Sequence, residues 1–370
     1  MICVKRIGIL TFHNACNFGA VLQAYALKKT VAALCEAQVD ILDYRNPQIK
    51  AGASVWGQFR CARNKGKELV RTALCLPYRI CRNWLFVRFR AKRLEMTGRA
   101  VRRSELRKCN YDILITGSDQ VWNLELTGGD ATYFLDFADE NKVCCAYGAS
   151  IGQSIFTDEE KTRLTSLMQK MDAISFREEE LVPFFSAQLP EKEIASVLDP
   201  VFLLPVERWR AMQPTMHRKP YVLFFAVGNS PELLPAIEFA VRLAKERGVE
   251  ALFLSDQDIW YKFRMLKHYG PASPETFLAL IDHADCVVTN SFHATSFAIQ
   301  FHKEVFVETG MKRNGRLVNL LRLTGMEDRA MIRGKVSSQG LFAIDWEYAD
   351  AALAAKREKS IRFIQKYFKQ

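Results

Sequence analysis

Two residues in the run Cys286–Gln300, CVVTNSFHATSFAIQ, are suited to chemistry: the hydroxyl of Ser291 and, two residues on, the imidazole of His293. An imidazole titrates near neutral pH and can give a proton to a substrate. Cys286, Val287 and Val288 read as the end of a buried strand, and Thr289, Asn290 and Ser291 as a turn with an N-cap. Ala294, Phe297, Ala298 and Phe301 then recur at helical spacing. The pattern predicts a strand–turn–helix whose free backbone N–H groups and positive dipole end lie beside the imidazole, an arrangement that suits an anion. A capped helix with a hydrogen-bonded histidine has the same pattern, and such junctions are common in α/β folds.

Four further segments place polar residues at strand ends. In Thr11–Ala20, TFHNACNFGA, Asn17 and Gly19 open a helix, and Gly19 would let a ligand approach the backbone closely. This is not a GxGxxG motif, and a well-capped turn would use the same residues. His13 and Cys16 have no second ligand pair, so no metal site is expected. In Gly117–Asn123, GSDQVWN, Ser118, Asp119 and Gln120 could hold sugar hydroxyls and Trp122 could stack on a sugar face; capping and burial would use them equally well. Arg177, in SFREEE, could pair with a carboxylate or phosphate, although Glu178, Glu179 and Glu180 offer structural partners. Asp199, before Pro200 in VLDPVFLL, suits a hinge as well as a ligand.

The elements that must position these groups form two α/β series. Strands are predicted at 5–12, 37–44, 111–116, 142–149, 172–176 and 195–198, with helices at 19–34, 157–171 and 178–185. Residues 205–220, with three prolines and no strand pattern, read as a linker. A second series follows: strands at 221–227, 250–254, 286–289 and 304–307, helices at 231–247 and 274–283, and a last amphipathic helix at 348–368. The expected architecture is α/β, with two Rossmann-like domains facing a cleft. The N-terminal domain covers 1–205 and the C-terminal domain 220–345; the helix in 346–370 is placed to pack across both.

At 370 residues, 49% of them hydrophobic, the chain has the material for two folded cores. No apolar run reaches membrane-spanning length, and the apolar start is too short for a secretory signal. The ten scattered cysteines contain no CxxC pair and read as buried free thiols in a reducing cytosol. The net charge of +11 is concentrated in one place. Residues 50–108 carry 17 Lys and Arg against Glu68, Glu95 and Glu105, while the remainder of the chain is at −3.

Taken in order, FHNACNFGAVLQAYAL, GSDQVWN, SFREEE, LDPVFLL and TNSFHATSFAIQF resemble the polysaccharide pyruvyl transferase family. The resemblance implies a GT-B-like arrangement and transfer of a pyruvyl group from phosphoenolpyruvate to two hydroxyls of a sugar, forming a ketal on a cell-surface glycan precursor. It implies no cofactor, His293 as general acid, and Arg177, Asn290 and Ser291 on the donor, with Asn17 and Asp119 toward the acceptor. The chain departs from the family just before the motif histidine, where well-studied members carry an arginine and this sequence has Phe292; Arg313, Arg316 or a residue of the basic segment could replace it. A nucleotide-sugar glycosyltransferase and a non-catalytic glycan- or anion-binding relative stay open as alternatives.

The basic segment interleaves arginines with aromatics, as in Tyr78–Phe89, YRICRNWLFVRF. As a helical insertion it could lie on an anionic membrane, with Trp84 and Leu85 inserted near a lipid-linked acceptor, or pack on the N-terminal domain with a solvated basic face. It holds no recognised nucleic-acid reading motif, so no nucleic-acid partner is expected. The expected location is the cytoplasm, with peripheral contact on the inner membrane face.

Overall fold

The computed structural model describes residues 5–49, 65–96, 101–153, 156–216, 218–228, 231–255, 267–310, 315–336 and 342–369. In the N-terminal half, short apolar strands form a six-stranded parallel sheet: β1 (Arg6–Leu10), β2 (Gln38–Ile41), β3 (Ile113–Thr116), β4 (Val143–Ala149), β5 (Ala173–Phe176) and β6 (Ile194–Ser196). Their order in the sheet is β2-β1-β3-β4-β5-β6. Continuous apolar runs such as ILIT in β3 fit a sheet buried on both faces. In the C-terminal half a seven-stranded sheet runs β13-β12-β11-β10-β7-β8-β9. It comprises β7 (Tyr221–Ala226), β8 (Glu250–Ser255), β9 (Lys267–His268), β10 (Cys286–Thr289), β11 (Glu304–Glu308), β12 (Ala330–Ile332) and β13 (Lys335–Val336). Only the β12–β13 pair is antiparallel.

Chain order reverses once in each sheet. β1 lies between β2 and β3, and β7 between β8 and β10. At such a switch point the connections leave to opposite faces and open a crevice at the carboxyl ends of the strands, where α/β sheets bind ligands.

Helix α1 (Phe18–Cys35) is apolar on nearly every side because it is buried on nearly every side. Phe18, Val21, Leu22 and Tyr25 share one apolar cluster with Phe225, Phe277 and Phe297 of the C-terminal half. Phe18 stacks on Phe277 with ring centroids 4.6 Å apart and meets Phe225 edge-on at 5.8 Å. The connection between the halves also packs into this cluster: Val206–Arg210 is a short helix whose buried Trp209 lies 5.1 Å from Phe297 and 5.9 Å from Tyr25. The prolines of 205–220 therefore interrupt strand formation without producing a free linker.

The last helix, Trp346–Phe368, starts beside the C-terminal half, where Trp346 stacks on His302 at 4.7 Å. It ends on the first sheet, with Phe363, Ile364 and Phe368 among Ile7, Ile9 and Tyr147. Ser360 accepts a hydrogen bond from the Leu198 amide at 2.9 Å, and Arg357 donates to the Phe202 carbonyl at 2.6 Å.

Of the basic segment, residues 50–64 and 97–100 lie outside the described residues. Helix α2 (Lys65–Phe89) continues into a π-helical turn, Arg90–Leu94, and stops at Glu95 in a left-handed conformation, φ 45°. Buried Lys28 of α1 donates to the Leu94 and Glu95 carbonyls at 2.8 and 2.9 Å, satisfying acceptors that the helix end leaves open.

Candidate active site

The two switch points face one another across a cavity of about 270 Å³. Asn17 and Gly19 reach it from the β1–α1 turn, Asp119 and Gln120 from the loop after β3, and Val227 from the end of β7. Asn290, Ser291, Phe292 and His293 reach it from the junction after β10. Two helix N-termini open here. Asn17 caps α1 by accepting from the Ala20 amide at 2.9 Å. Ser291 caps the helix Phe292–Gln300 by accepting from the Ala294 amide at 3.3 Å. A serine and an asparagine fold this way because each offers a side-chain oxygen to an amide that has no partner in the helix.

His293 stands where the halves touch. A methyl group on Gly19 would lie 2.0 Å from its Nδ1, so only glycine leaves room for the ring. Its Nε2 is 3.5 Å from Oδ2 of Asp199 and makes no hydrogen bond within the protein. Asp199 is buried in the apolar run between the halves, and its Oδ1 accepts from the Val201 amide at 3.0 Å. Burial alone would raise its pKa; the adjacent His293 and Arg177 outweigh that and hold the carboxyl well below the usual carboxylate range. An imidazolium at position 293 therefore has an ionised carboxylate beside it.

Arg177 lies behind this pair, with its side chain only 2% exposed. Its guanidinium donates to Asp199 and, at 3.2 Å, to Oδ1 of Asp119. The partners differ from those expected for SFREEE. Glu178 turns to Ser150, which donates to it, Glu179 pairs with Lys356 at 3.0 Å, and Glu180 accepts from Asn319 at 2.7 Å. Asp119 is held with φ +76°, a left-handed conformation that an aspartate tolerates better than most residues, and its Oδ1 also accepts from the Gln120 amide at 2.8 Å.

Phe292 lies between two cations. Arg177 sits 5.4 Å and Arg316 5.8 Å from its ring centroid. Arg316 lines the cavity, and its nearest carboxylate contact is Glu178 at 3.9 Å. Burial lowers its pKa, and the neighbouring Arg177 charge lowers it further. Arg313, the other arginine considered as a replacement, lies outside the described residues.

The structure brings together Asn17, Gly19, Asp119, Gln120, Asn290, Ser291 and His293 on the cavity wall. Three expected residues are elsewhere. Trp122 is fully buried, stacked on Phe134 at 5.0 Å and donating to the Tyr133 carbonyl at 2.9 Å, so it has no face for a sugar. Ser118 is also buried and donates to the Gly148 carbonyl at 3.0 Å. Arg177 is enclosed by two carboxylates and positions them; it does not face the cavity. Asn290 lines the wall, but its amide clamps the switch point: Oδ1 accepts from the Val227 amide at 2.8 Å and Nδ2 donates to its carbonyl at 2.9 Å. Asp199 was legible only as a hinge or a ligand, although an acid with apolar neighbours on both sides signals a buried ionised partner.

Among the described residues no group of three or more His, Cys, Asp or Glu is arranged to hold a metal ion. All eight described cysteines are free thiols, most of them buried.

The molecule resembles two solved structures over nearly its full length. The S. aureus MnaA–UDP complex superposes with a TM-score of 0.50 at 8% identity, covering 98% of this chain and 91% of that one. UDP-N-acetylglucosamine 2-epimerase from Rickettsia bellii gives 0.50 at 11% identity, covering 98% and 96%. At such identities the likeness defines the fold: two Rossmann-like domains facing a cleft, the GT-B arrangement. No curated protein matches the chain. The family model for polysaccharide pyruvyl transferase matches residues 17–308, a span from the α1 cap through the His293 helix to the end of β11. The chain belongs to the polysaccharide pyruvyl transferase family, a family of transferases.

Proposed function

We propose that the protein transfers a pyruvyl group from phosphoenolpyruvate to two hydroxyls of a sugar in a cell-surface glycan precursor, with His293 as the general acid. The observation that carries this reading is His293 at a meeting of two helix N-termini, beside the ionised carboxylate of Asp199 and across the cavity wall from a desolvated Arg316. Phosphoenolpyruvate brings a phosphate and a carboxylate. A guanidinium that lines the cavity with its nearest carboxylate 3.9 Å away, together with helix-terminal N–H groups, provides donors for such groups.

The steps use residues already described. A proton from His293 adds to the methylene carbon, and the enol carbon takes on positive character. One sugar hydroxyl attacks that carbon; the second displaces phosphate and closes the ketal. Of the two hydroxyl protons, one accounts for the new methyl hydrogen and the other leaves with phosphate. Asp199 sets an ionised carboxylate 3.5 Å from the imidazole Nε2, and Asp119 and Gln120 supply acceptors and donors on the acceptor side. In this reading Arg316 takes the role expected of an arginine at position 292, and Phe292 keeps Arg316 and Arg177 apart.

Phosphate release with phosphoenolpyruvate and a panel of glycan acceptors tests the proposal. His293→Ala is expected to abolish release while retaining the far-UV spectrum and melting temperature of the parent. Calorimetric binding of a nucleotide sugar, with none of phosphoenolpyruvate, would reject the donor in favour of glycosyl transfer.

A further inference from the structure

Helix α2 (Lys65–Phe89) has two apolar faces. On the inner face Cys75, Phe86 and Phe89 are buried, and Phe86 packs on Phe18 at 5.2 Å. On the outer face Leu74, Ile80, Trp84 and Val87 are 72%, 55%, 56% and 45% exposed. Steps of three, four or seven residues link Ile80, Trp84, Val87 and the exposed Arg88, and exposed Pro77, three residues from both Leu74 and Ile80, carries the face back to Leu74, so they form one face about 20 Å long. Nine large hydrophobic side chains are exposed among the described residues, and four of them lie here; that is clustering, not the usual scatter of single apolar residues. Cations border one end of the face. From Leu69 to Leu94 the sequence holds seven Lys and Arg and no acidic residue, although Arg79 and Arg90 are buried and Arg93 pairs with Glu275. Arg88 and Lys92 are exposed, with the Arg88 guanidinium 5.5 Å from the Trp84 ring centroid.

We propose that this face docks on an anionic lipid surface, with Leu74, Ile80, Trp84 and Val87 entering the headgroup–acyl boundary and Arg88 and Lys92 contacting acidic headgroups. Charge complementarity selects this occupant. Exposed Arg88 and Lys92 border the apolar face, and from Leu69 to Leu94 the sequence has no acidic residue to repel an anionic surface. A second copy would bring two such segments together against their repulsion. A nucleic acid would leave the aliphatic side chains unrewarded, whereas an interfacial helix with tryptophan, aliphatics and a basic rim uses every group on the face. No helix among the described residues is long and apolar enough to cross a membrane, so α2 lies on the surface. It lies beside the cleft as well: Asn83 accepts from the Cys16 thiol at 3.6 Å, and Phe18, under Phe86, lines the cavity. Delivery of a lipid-linked acceptor by this route rests on the pyruvyl-transfer reading; binding to lipid does not.

Co-sedimentation of the full chain with vesicles of phosphatidylcholine, alone or mixed with phosphatidylglycerol, tests the docking without reference to catalysis. The parent is expected to pellet with the mixed vesicles and to bind phosphatidylcholine roughly tenfold more weakly or less. Two variants at outward positions, Ile80→Ser with Trp84→Ser and Arg88→Glu with Lys92→Glu, are each expected to lose roughly tenfold or more in partitioning with unchanged melting temperatures. Absence of pelleting with the mixed vesicles, or undiminished pelleting of both variants, would overturn the proposal. Capture by polyglutamate without vesicle binding would do the same and assign the face to an acidic protein.

Discussion

Gly19, His293 and Asp199 form a column in which each residue limits the next. A Cβ at position 19 would lie 2.0 Å from the imidazole, so Gly19→Ala must push His293 aside. A displacement near 1 Å is enough to cost about 100-fold in turnover, and that loss is expected in kcat, measured as phosphate release, with the acceptor KM little changed. Asp199 has a different role. Its carboxylate is buried against Arg177, so Asp199→Asn leaves a guanidinium without its closest counter-ion. Breaking a buried pair from one side costs on the order of 3–5 kcal/mol, and denaturant unfolding should show a loss of that size. The pH sign follows from the depressed folded-state value. Above the unfolded carboxyl value, about 4, the pair's contribution is present in full, and it is lost only as pH falls through the lower folded-state value. The deficit of the asparagine variant should therefore stay constant from pH 5 to 8.

At the scale of elements, the sheet edge at β9 carries a pH dependence of its own. His268, in β9, sits 5.5 Å from the Phe253 ring, and its Nδ1 accepts from the Gly270 amide at 2.9 Å. Burial pulls its pKa down to about 4, so the folded protein keeps it neutral. Between the unfolded value near 6.5 and about 4 the unfolded chain binds the extra proton, and stability must fall as pH falls through that window. With allowance for partial exposure the loss is on the order of 1 kcal/mol. Thermal melts at pH 7 and pH 4.5 should show a smaller difference for His268→Gln than for the parent.

The same elements show how much could be read from residue order. Strands such as Cys286–Thr289 and helices such as Leu234–Glu246 were legible because continuous apolar runs and 3.6-residue spacing are set by local burial. The short pieces at 206–210, 330–332 and 335–336 were not, because fewer than six residues cannot display a period and their apolar side chains answer to partners far along the chain. The candidate site divides in a similar way. Cap residues Asn17 and Ser291 announce themselves through local chemistry, whereas the burial of Trp122 and the pairing of Arg177 with Asp119 and Asp199 arise from tertiary packing. Arg316 could be named from the sequence only as a stand-in among several cations; its neighbour Phe292 gives it a place.

At the scale of the whole molecule, the two sheets are joined by more than a hinge. Phe18 inserts from the first half into an apolar cluster of the second, and the last helix returns across both. Hinged opening about an interface of this kind would expose buried aromatic surface, so the cleft should be preformed. Small-angle scattering should give the same radius of gyration with and without saturating phosphoenolpyruvate. Phe18→Ala should remove about 3–5 kcal/mol of stability and make unfolding depart from a single transition, as the halves lose their shared core.

The contact between Gly19 and His293 crosses the boundary between the halves, and this has a thermodynamic consequence. Placement of the imidazole is then a property of docking, since neither half alone holds the ring against both Gly19 and Asp199. By reciprocity, a ligand that touches both cleft walls must strengthen docking by the same factor by which docking strengthens its own binding. In a chain loosened by Phe18→Ala, a bridging donor should therefore raise the melting temperature by more than it does in the parent. The site would act as a fastener for the fold that builds it.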